Sequence, residues 1–115
     1  MPETATPPIG RLTIVGLGLI GSSIARAARR YGLARTIVAL DRDESVRARL
    51  TELGIADLVT GDPREGATEA DLVILCVPVG AIGAAAAELA PHLKPGAIVS
   101  DVGSVKGAVV AAVQP

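Results

Sequence analysis

The sequence is short of aromatic residues, of cysteine and of net charge, and each shortage removes a class of function. Tyr31 is its only aromatic side chain, so the stacking platforms on which single-stranded nucleic acids lie are missing. Lys and Arg (11) nearly balance Asp and Glu (12), leaving a formal net charge of −1. No basic or acidic field argues for nucleic acid or a charged surface as partner. Cys76 is the only cysteine and His92 the only histidine; an internal disulfide is excluded, and the pair makes no metal-ligand cluster. Long apolar runs are lacking too. The longest uncharged stretch, residues 72–87, is interrupted by Pro78 and Gly80 and falls short of the roughly 20 residues a membrane span needs. The opening MPETATPPIG has neither the basic start nor the apolar core of a secretory signal. These absences set the expectations of no nucleic-acid partner, no membrane partner and a cytoplasmic location.

What is present suits one globular domain: 115 residues, half of them apolar and a fifth charged. Residues 1–10 read as a flexible Pro/Thr leader, and residues 11–115 as the domain. Residues 11–15 form a short apolar run with β-branched members, a strand. Residues 19–31 read as a helix, with Ile20, Ile24, Ala27 and Ala28 on one stripe, Arg26, Arg29 and Arg30 toward solvent, and Gly32 as its stop. Residues 36–40 predict a second strand. Residues 43–53 predict a second helix, with Val46, Leu50 and Leu53 inward and Gly54 closing it. A short third strand falls within residues 55–60. Residues 72–77 are apolar without alternation, the pattern of a parallel strand covered on both faces. A helical segment over 78–93, a strand over 97–101 and a helix over 104–113 complete the chain. Strands that alternate with helices imply right-handed crossovers and a parallel sheet.

The stretch GLGLIGSS (16–23) joins the first strand to the first helix and holds Gly16, Gly18 and Gly21 at the spacing G-x-G-x-x-G. In a nucleotide-binding turn each glycine has its own task. The first permits the tight turn, the second lets a pyrophosphate approach the backbone, and the third lets the helix pack close to the strand. The N–H groups and partial positive charge of the helix N-terminus, at Leu19 and Ile20, then face the phosphates. Leu17 is expected to cover the turn, and the Leu19 and Ile20 side chains to face the sheet. A plain strand-to-helix turn would use the same glycines, but Asp41 adds weight. It ends the second strand, 20 residues after Gly21, where a carboxylate accepts hydrogen bonds from the adenosine ribose hydroxyls. The competing role, N-cap of the next helix, can be filled by Asp43. A carboxylate at Asp41 repels a 2′-phosphate, which favours NAD over NADP. Arg42 beside it keeps NADP open, or is a solvated residue or one stacked on adenine.

A second cluster, DVGSVKG (101–107), follows the last expected strand, where strand C-termini line the ligand crevice. Gly103 allows close backbone approach, Ser104 offers a donor and an acceptor, and Lys106 a positive charge. Spacing alone equally permits a helix start, with Ser104 as N-cap and Lys106 on a solvated turn.

Together IVGLGLIGSSIARAAR (14–29), ALDRD (39–43), ADLVILCVPV (70–79) and SDVGSVKG (100–107) resemble the N-terminal nucleotide-binding domain of the prephenate/arogenate dehydrogenase family. The resemblance covers nearly the whole chain from Arg11 onward. GLGLIG is shared with many dehydrogenases, whereas VPV with DVGSVKG is more specific. It implies an α/β fold, a Rossmann-type doubly wound parallel sheet of strand order 3-2-1-4-5. It also implies NAD(P)-dependent oxidative decarboxylation of a small molecule, prephenate to 4-hydroxyphenylpyruvate or arogenate to tyrosine. Ser104 would orient groups near the nicotinamide and substrate, Lys106 would lie near substrate or cofactor, and Val77, Pro78 and Val79 would run along the cofactor, with Gly103 beside it. The family's histidine base, in an HP-x-x-G-like stretch, has no counterpart before Pro115, and His92 reads as a residue of a helix C-terminus. Cys76 reads as a buried strand residue. The family's helical substrate and dimerisation domain is also absent, so the expectation is a piece of a longer, homodimeric enzyme, inactive alone. Rival readings are a hydroxyacid-type dehydrogenase or reductase on the same fold, and a non-catalytic NAD-sensing module.

Overall fold

The computed structural model describes residues 7–102. Five strands, β1 (Ile9–Val15), β2 (Ala34–Leu40), β3 (Leu58–Thr60), β4 (Leu72–Leu75) and β5 (Ile98–Asp101), alternate with helices. The helices are α1 (Leu19–Arg30), α2 (Glu44–Leu53), α3 (Pro63–Ala67) and α4 (Ile82–Leu89). All pairings are parallel, and the order is β3-β2-β1-β4-β5, as expected for a doubly wound Rossmann-type sheet. β1 lies at the centre. Its Leu12 pairs with Ile37 on one side and Leu72 on the other, and Ile14 with Ala39 and Ile74.

The two-residue period of β1 feeds two cores. Leu12 and Ile14 pack with Ile37, Ala39 and the inward sides of α1 and α2, through Ala25, Ala28 and Leu50. The opposite face buries Val15, Leu40, Val73 and Leu75 beneath α3 and α4, through Ala67, Ile82 and Leu89. Thr13, fully buried, points into this second layer and donates its hydroxyl to the Gly66 carbonyl of α3. This bond satisfies a polar group in an otherwise apolar strand.

Several elements depart from the sequence expectation for identifiable reasons. β1 starts at Ile9 rather than Arg11, so Ile9 and Gly10, read as leader, belong to the sheet; Ile9 N–H bonds the Leu33 carbonyl. The stripe of α1 is Gly21, Ala25 and Ala28. Leu19 is 88% and Ile20 57% exposed, so neither faces the sheet, whereas Leu17 is buried beneath the turn. Small residues win the inward face because the helix lies close to the strand ends. In α2, Val46 and Leu50 turn inward, but Leu53 is 51% exposed. The helix expected over 78–93 is broken. One 3₁₀ turn spans Val79–Ala81, and α4 yields to another at Ala90–His92, where Pro91 cannot supply a helical N–H. The short helix α3 was not foreseen. The helix expected over 104–113 lies outside the described residues. Among the described residues, no helix is long and apolar enough to cross a membrane, and no group of His, Cys, Asp or Glu could hold a metal ion.

Candidate functional site: a cleft at the strand C-termini

The chain leaves β1, β2 and β4 on one edge of the sheet and turns away, opening a cleft of about 410 Å³ there. That volume lies within the usual range for small-molecule pockets, about 300–1,000 Å³. Gly16 begins its floor with φ of +87°, a left-handed conformation that L side chains rarely adopt. A Cβ at Gly21 would overlap the Gly16 carbonyl oxygen, so the third glycine sets how closely α1 seats on the turn. Gly18 differs from both. Nothing lies within 4 Å of where its Cβ would stand, and it lines the cleft. It is also the N-cap of α1, with no side-chain cap and no acidic residue in the first turn. The positive end of α1 is therefore left for an external anion. Leu19 and Ile20 are not in the cleft lining; they form the first turn of α1, which follows Gly18.

Asp41 follows β2 on the opposite wall. Its Oδ2 accepts the Leu17 N–H at 2.8 Å and its Oδ1 the Asp43 N–H at 2.9 Å, tying the glycine turn to the end of β2. Helix capping falls to Asp43, whose Oδ1 accepts the N–H groups of Ser45 and Val46. The Ser45 hydroxyl first, and those N–H groups next, hold the Asp43 carboxyl below its usual range. Asp41 is thus released from capping and keeps spare acceptor capacity toward the cleft. Arg47, which sequence reasoning passed over, braces this wall: its Nη1 donates to the carbonyls of Asp41 and Arg42 at 2.9 and 2.8 Å.

Arg42 reaches across to α4, where its Nη2 lies 2.8 Å from both carboxylate oxygens of Glu88. The sequence separates the two by 46 positions, and no local pattern signals the pairing. Val77 and Pro78 line the third side with Ala81 and Ala85. Cys76 sits just past β4 and lines the cleft half-buried, a correction to its reading as a buried strand residue. Burial pushes its thiol above the usual value, which keeps it protonated and unreactive. His92 ends the second 3₁₀ turn, outside the cleft lining. Gly103, Ser104 and Lys106 lie outside the described residues. The arrangement is a cleft at a bare helix N-terminus, with a carboxylate beside it and apolar walls beyond, features that suit a dinucleotide.

Comparison with known proteins agrees with this geometry. The family model for the prephenate dehydrogenase nucleotide-binding domain matches residues 24–115. A cyclohexadienyl dehydrogenase of Zymomonas mobilis subsp. mobilis is 48% identical over 103 residues, covering 90% of this chain and 35% of the relative. The crystal structure of Synechocystis arogenate dehydrogenase superposes with a TM-score of 0.83 at 35% identity, over 90% of this chain and 36% of that one. That of prephenate dehydrogenase from A. aeolicus, in complex with hydroxyphenyl propionate and NAD+, superposes with a TM-score of 0.80 at 28% identity, over 91% and 38%. The chain therefore spans little more than a third of the length of these relatives. With the family model matching most of its length and the glycine turn, the Asp41 wall and the 3-2-1-4-5 sheet in place, the chain belongs to the prephenate dehydrogenase nucleotide-binding domain family.

Proposed function

We propose that this chain is the NAD-binding part of a cytoplasmic dehydrogenase that oxidatively decarboxylates prephenate or arogenate, with hydride passing from substrate to the nicotinamide. The observation that carries the cofactor choice is Asp41. Its carboxylate is fixed by two backbone N–H groups at the cleft wall, is free of capping duty, and stands where it accepts from ribose hydroxyls and repels a 2′-phosphate. In this reading Gly18 and the first turn of α1, at Leu19, Ile20 and Gly21, receive the pyrophosphate. Val77 and Pro78 flank the cofactor. Gly103, Ser104 and Lys106, following β5, serve the nicotinamide and substrate end. The substrate class rests on the family and on relatives that carry prephenate, arogenate and cyclohexadienyl dehydrogenase names. In the longer protein, a further domain supplies the base, most substrate contacts and a homodimer interface.

Calorimetric titration with NADH and NADPH tests the reading. NADH binds more tightly, and Asp41→Ala weakens it by about 1–3 kcal/mol, the scale of hydrogen bonds to a charged group. Equal affinity for the two nucleotides, or tighter NADPH, overturns the assignment.

A further inference from the structure

The Arg42–Glu88 pair spans the cleft mouth and has no part in the roles assigned above. Both residues line the cleft. Arg42 is the only cation among the described residues that do so, and it follows Asp41 directly. A 2′-phosphate on the ribose held at Asp41 would meet that guanidinium first, since the neighbouring Arg47 is outside the cleft lining with its Nη1 donating to the Asp41 and Arg42 carbonyls. Glu88 occupies it instead, with both carboxylate oxygens at 2.8 Å from Nη2. Glu88 is also the only charged residue of α4 and stands in its last turn, at the negative end of the helix dipole. A carboxylate there gains from any cation in reach, and Arg42, its side chain 81% exposed, has the freedom to supply it.

We propose that Glu88 is a positioning residue for cofactor choice. By holding Arg42 in an ion pair across the cleft mouth, it withholds from a 2′-phosphate the one cation among the described residues that lines the cleft. This rests on the reading of the cleft as the cofactor site with the ribose at Asp41. Two layers of discrimination then act against NADP: the Asp41 carboxylate repels the phosphate, and Glu88 keeps the neighbouring arginine engaged.

The test is a set of NADH and NADPH titrations on the 115-residue chain. Glu88→Gln keeps the shape of the side chain and removes its charge. It raises the ratio of NADPH to NADH affinity by about 3- to 10-fold, the range of an exposed pair released to bind phosphate. A residue that only stabilised α4 would change both affinities alike and leave the ratio where it was. Repeating Glu88→Gln in an Arg42→Ala background separates release of the arginine from simple loss of a negative charge, and there the gain falls below about twofold. An unchanged ratio in the single variant, or an equal gain in both backgrounds, overturns the role of Glu88 while leaving the cofactor site intact. A wild-type chain that binds neither nucleotide, or whose NADH affinity ignores Asp41→Ala, overturns the cofactor reading itself.

Discussion

The three glycines of the turn look alike in sequence and differ in what a side chain would meet. Gly16 is held by its backbone conformation and Gly21 by the carbonyl against which it packs, so both answer to folding. Gly18 alone is unconstrained, with φ of −73° and open space around its missing Cβ. Valine at this position is therefore compatible with the fold and incompatible with a pyrophosphate at the helix N-terminus. Gly18→Val is expected to keep its circular dichroism spectrum and lose measurable NADH binding. Gly21→Ala is expected to cost on the order of 1–3 kcal/mol of stability through overpacking. A folded Gly18→Val chain that still binds NADH would move the pyrophosphate elsewhere. The spacing of the motif could be read from sequence, but the division of labour among its glycines could not. It depends on the atoms that stand against each position once the chain is folded: Cys76 and Val77 against Gly16, the Gly16 carbonyl against Gly21 and, among the described residues, nothing against Gly18.

At the level of elements, the alternation, the parallel sheet and the capping role of Asp43 were legible because each follows from local period, crossover handedness or a side chain bonding its own neighbours, while the strand order came with the family resemblance. The residues that escaped are those whose reason is non-local. α3 is too short to show a period, though Asp62 and Pro63 carry the N-cap and first-turn signals; its purpose, covering Thr13, emerges only in three dimensions. Glu88 sits in an alanine-rich helix with nothing in the sequence to link it to Arg42. Leu19 and Ile20 are expected from their place in the turn to face the sheet, yet Gly21, Ala25 and Ala28 hold the close helix–sheet contact. The end of the sheet opposite the cleft has its own non-local tie. Asp71, before β4, accepts the Arg11 N–H of β1 at 2.8 Å and pairs with Lys94, ahead of β5, at 2.7 Å. Lys94 first, and the Arg11 N–H next, hold the Asp71 carboxyl below its usual range, and the bond to Asp71 holds the Lys94 ammonium above its own. The carboxyl's contribution is present above the ordinary carboxyl value of about 4 and is lost as pH falls through the lowered native value. The ammonium's contribution is present below about 10.4 and is lost as pH rises through the raised one. Melting temperature followed against pH checks this. Lys94→Met is expected to lower it by a few degrees near neutrality and to flatten the acid limb below about pH 4, the Arg11 bond preserving the remainder. Parallel acid limbs in the two proteins would show that the pair adds nothing.

At the scale of the molecule, the question is how much of a reaction this chain can perform. Its cleft holds four titratable side chains among the described residues: Asp41, Arg42, Cys76 and Glu88. Asp41 is engaged by two N–H groups, Arg42 and Glu88 by each other, and the thiol is held protonated by burial. His92 stands away from the cleft lining. Histidine, the commonest general base, is thus not among the described residues that line the cleft. The relatives extend over nearly three times the length matched here, and the exposed Leu19 and Ile20 beside the glycine turn present apolar surface next to the cleft. Cofactor binding and substrate oxidation should therefore separate physically. The 115-residue chain, given NAD and prephenate or arogenate, is expected to bind the nucleotide and produce no NADH above the uncatalysed background. Joined to the part of the Zymomonas mobilis relative that lies outside the match, the same chain should turn over with one of the two substrates. Its Gly18→Val form should lose that turnover. NADH fluorescence reads all three. Oxidation by the 115-residue chain alone would place a base within it and remove the need for a second domain. A folded fusion that binds NADH but turns over neither substrate would argue against prephenate and arogenate as the substrate class.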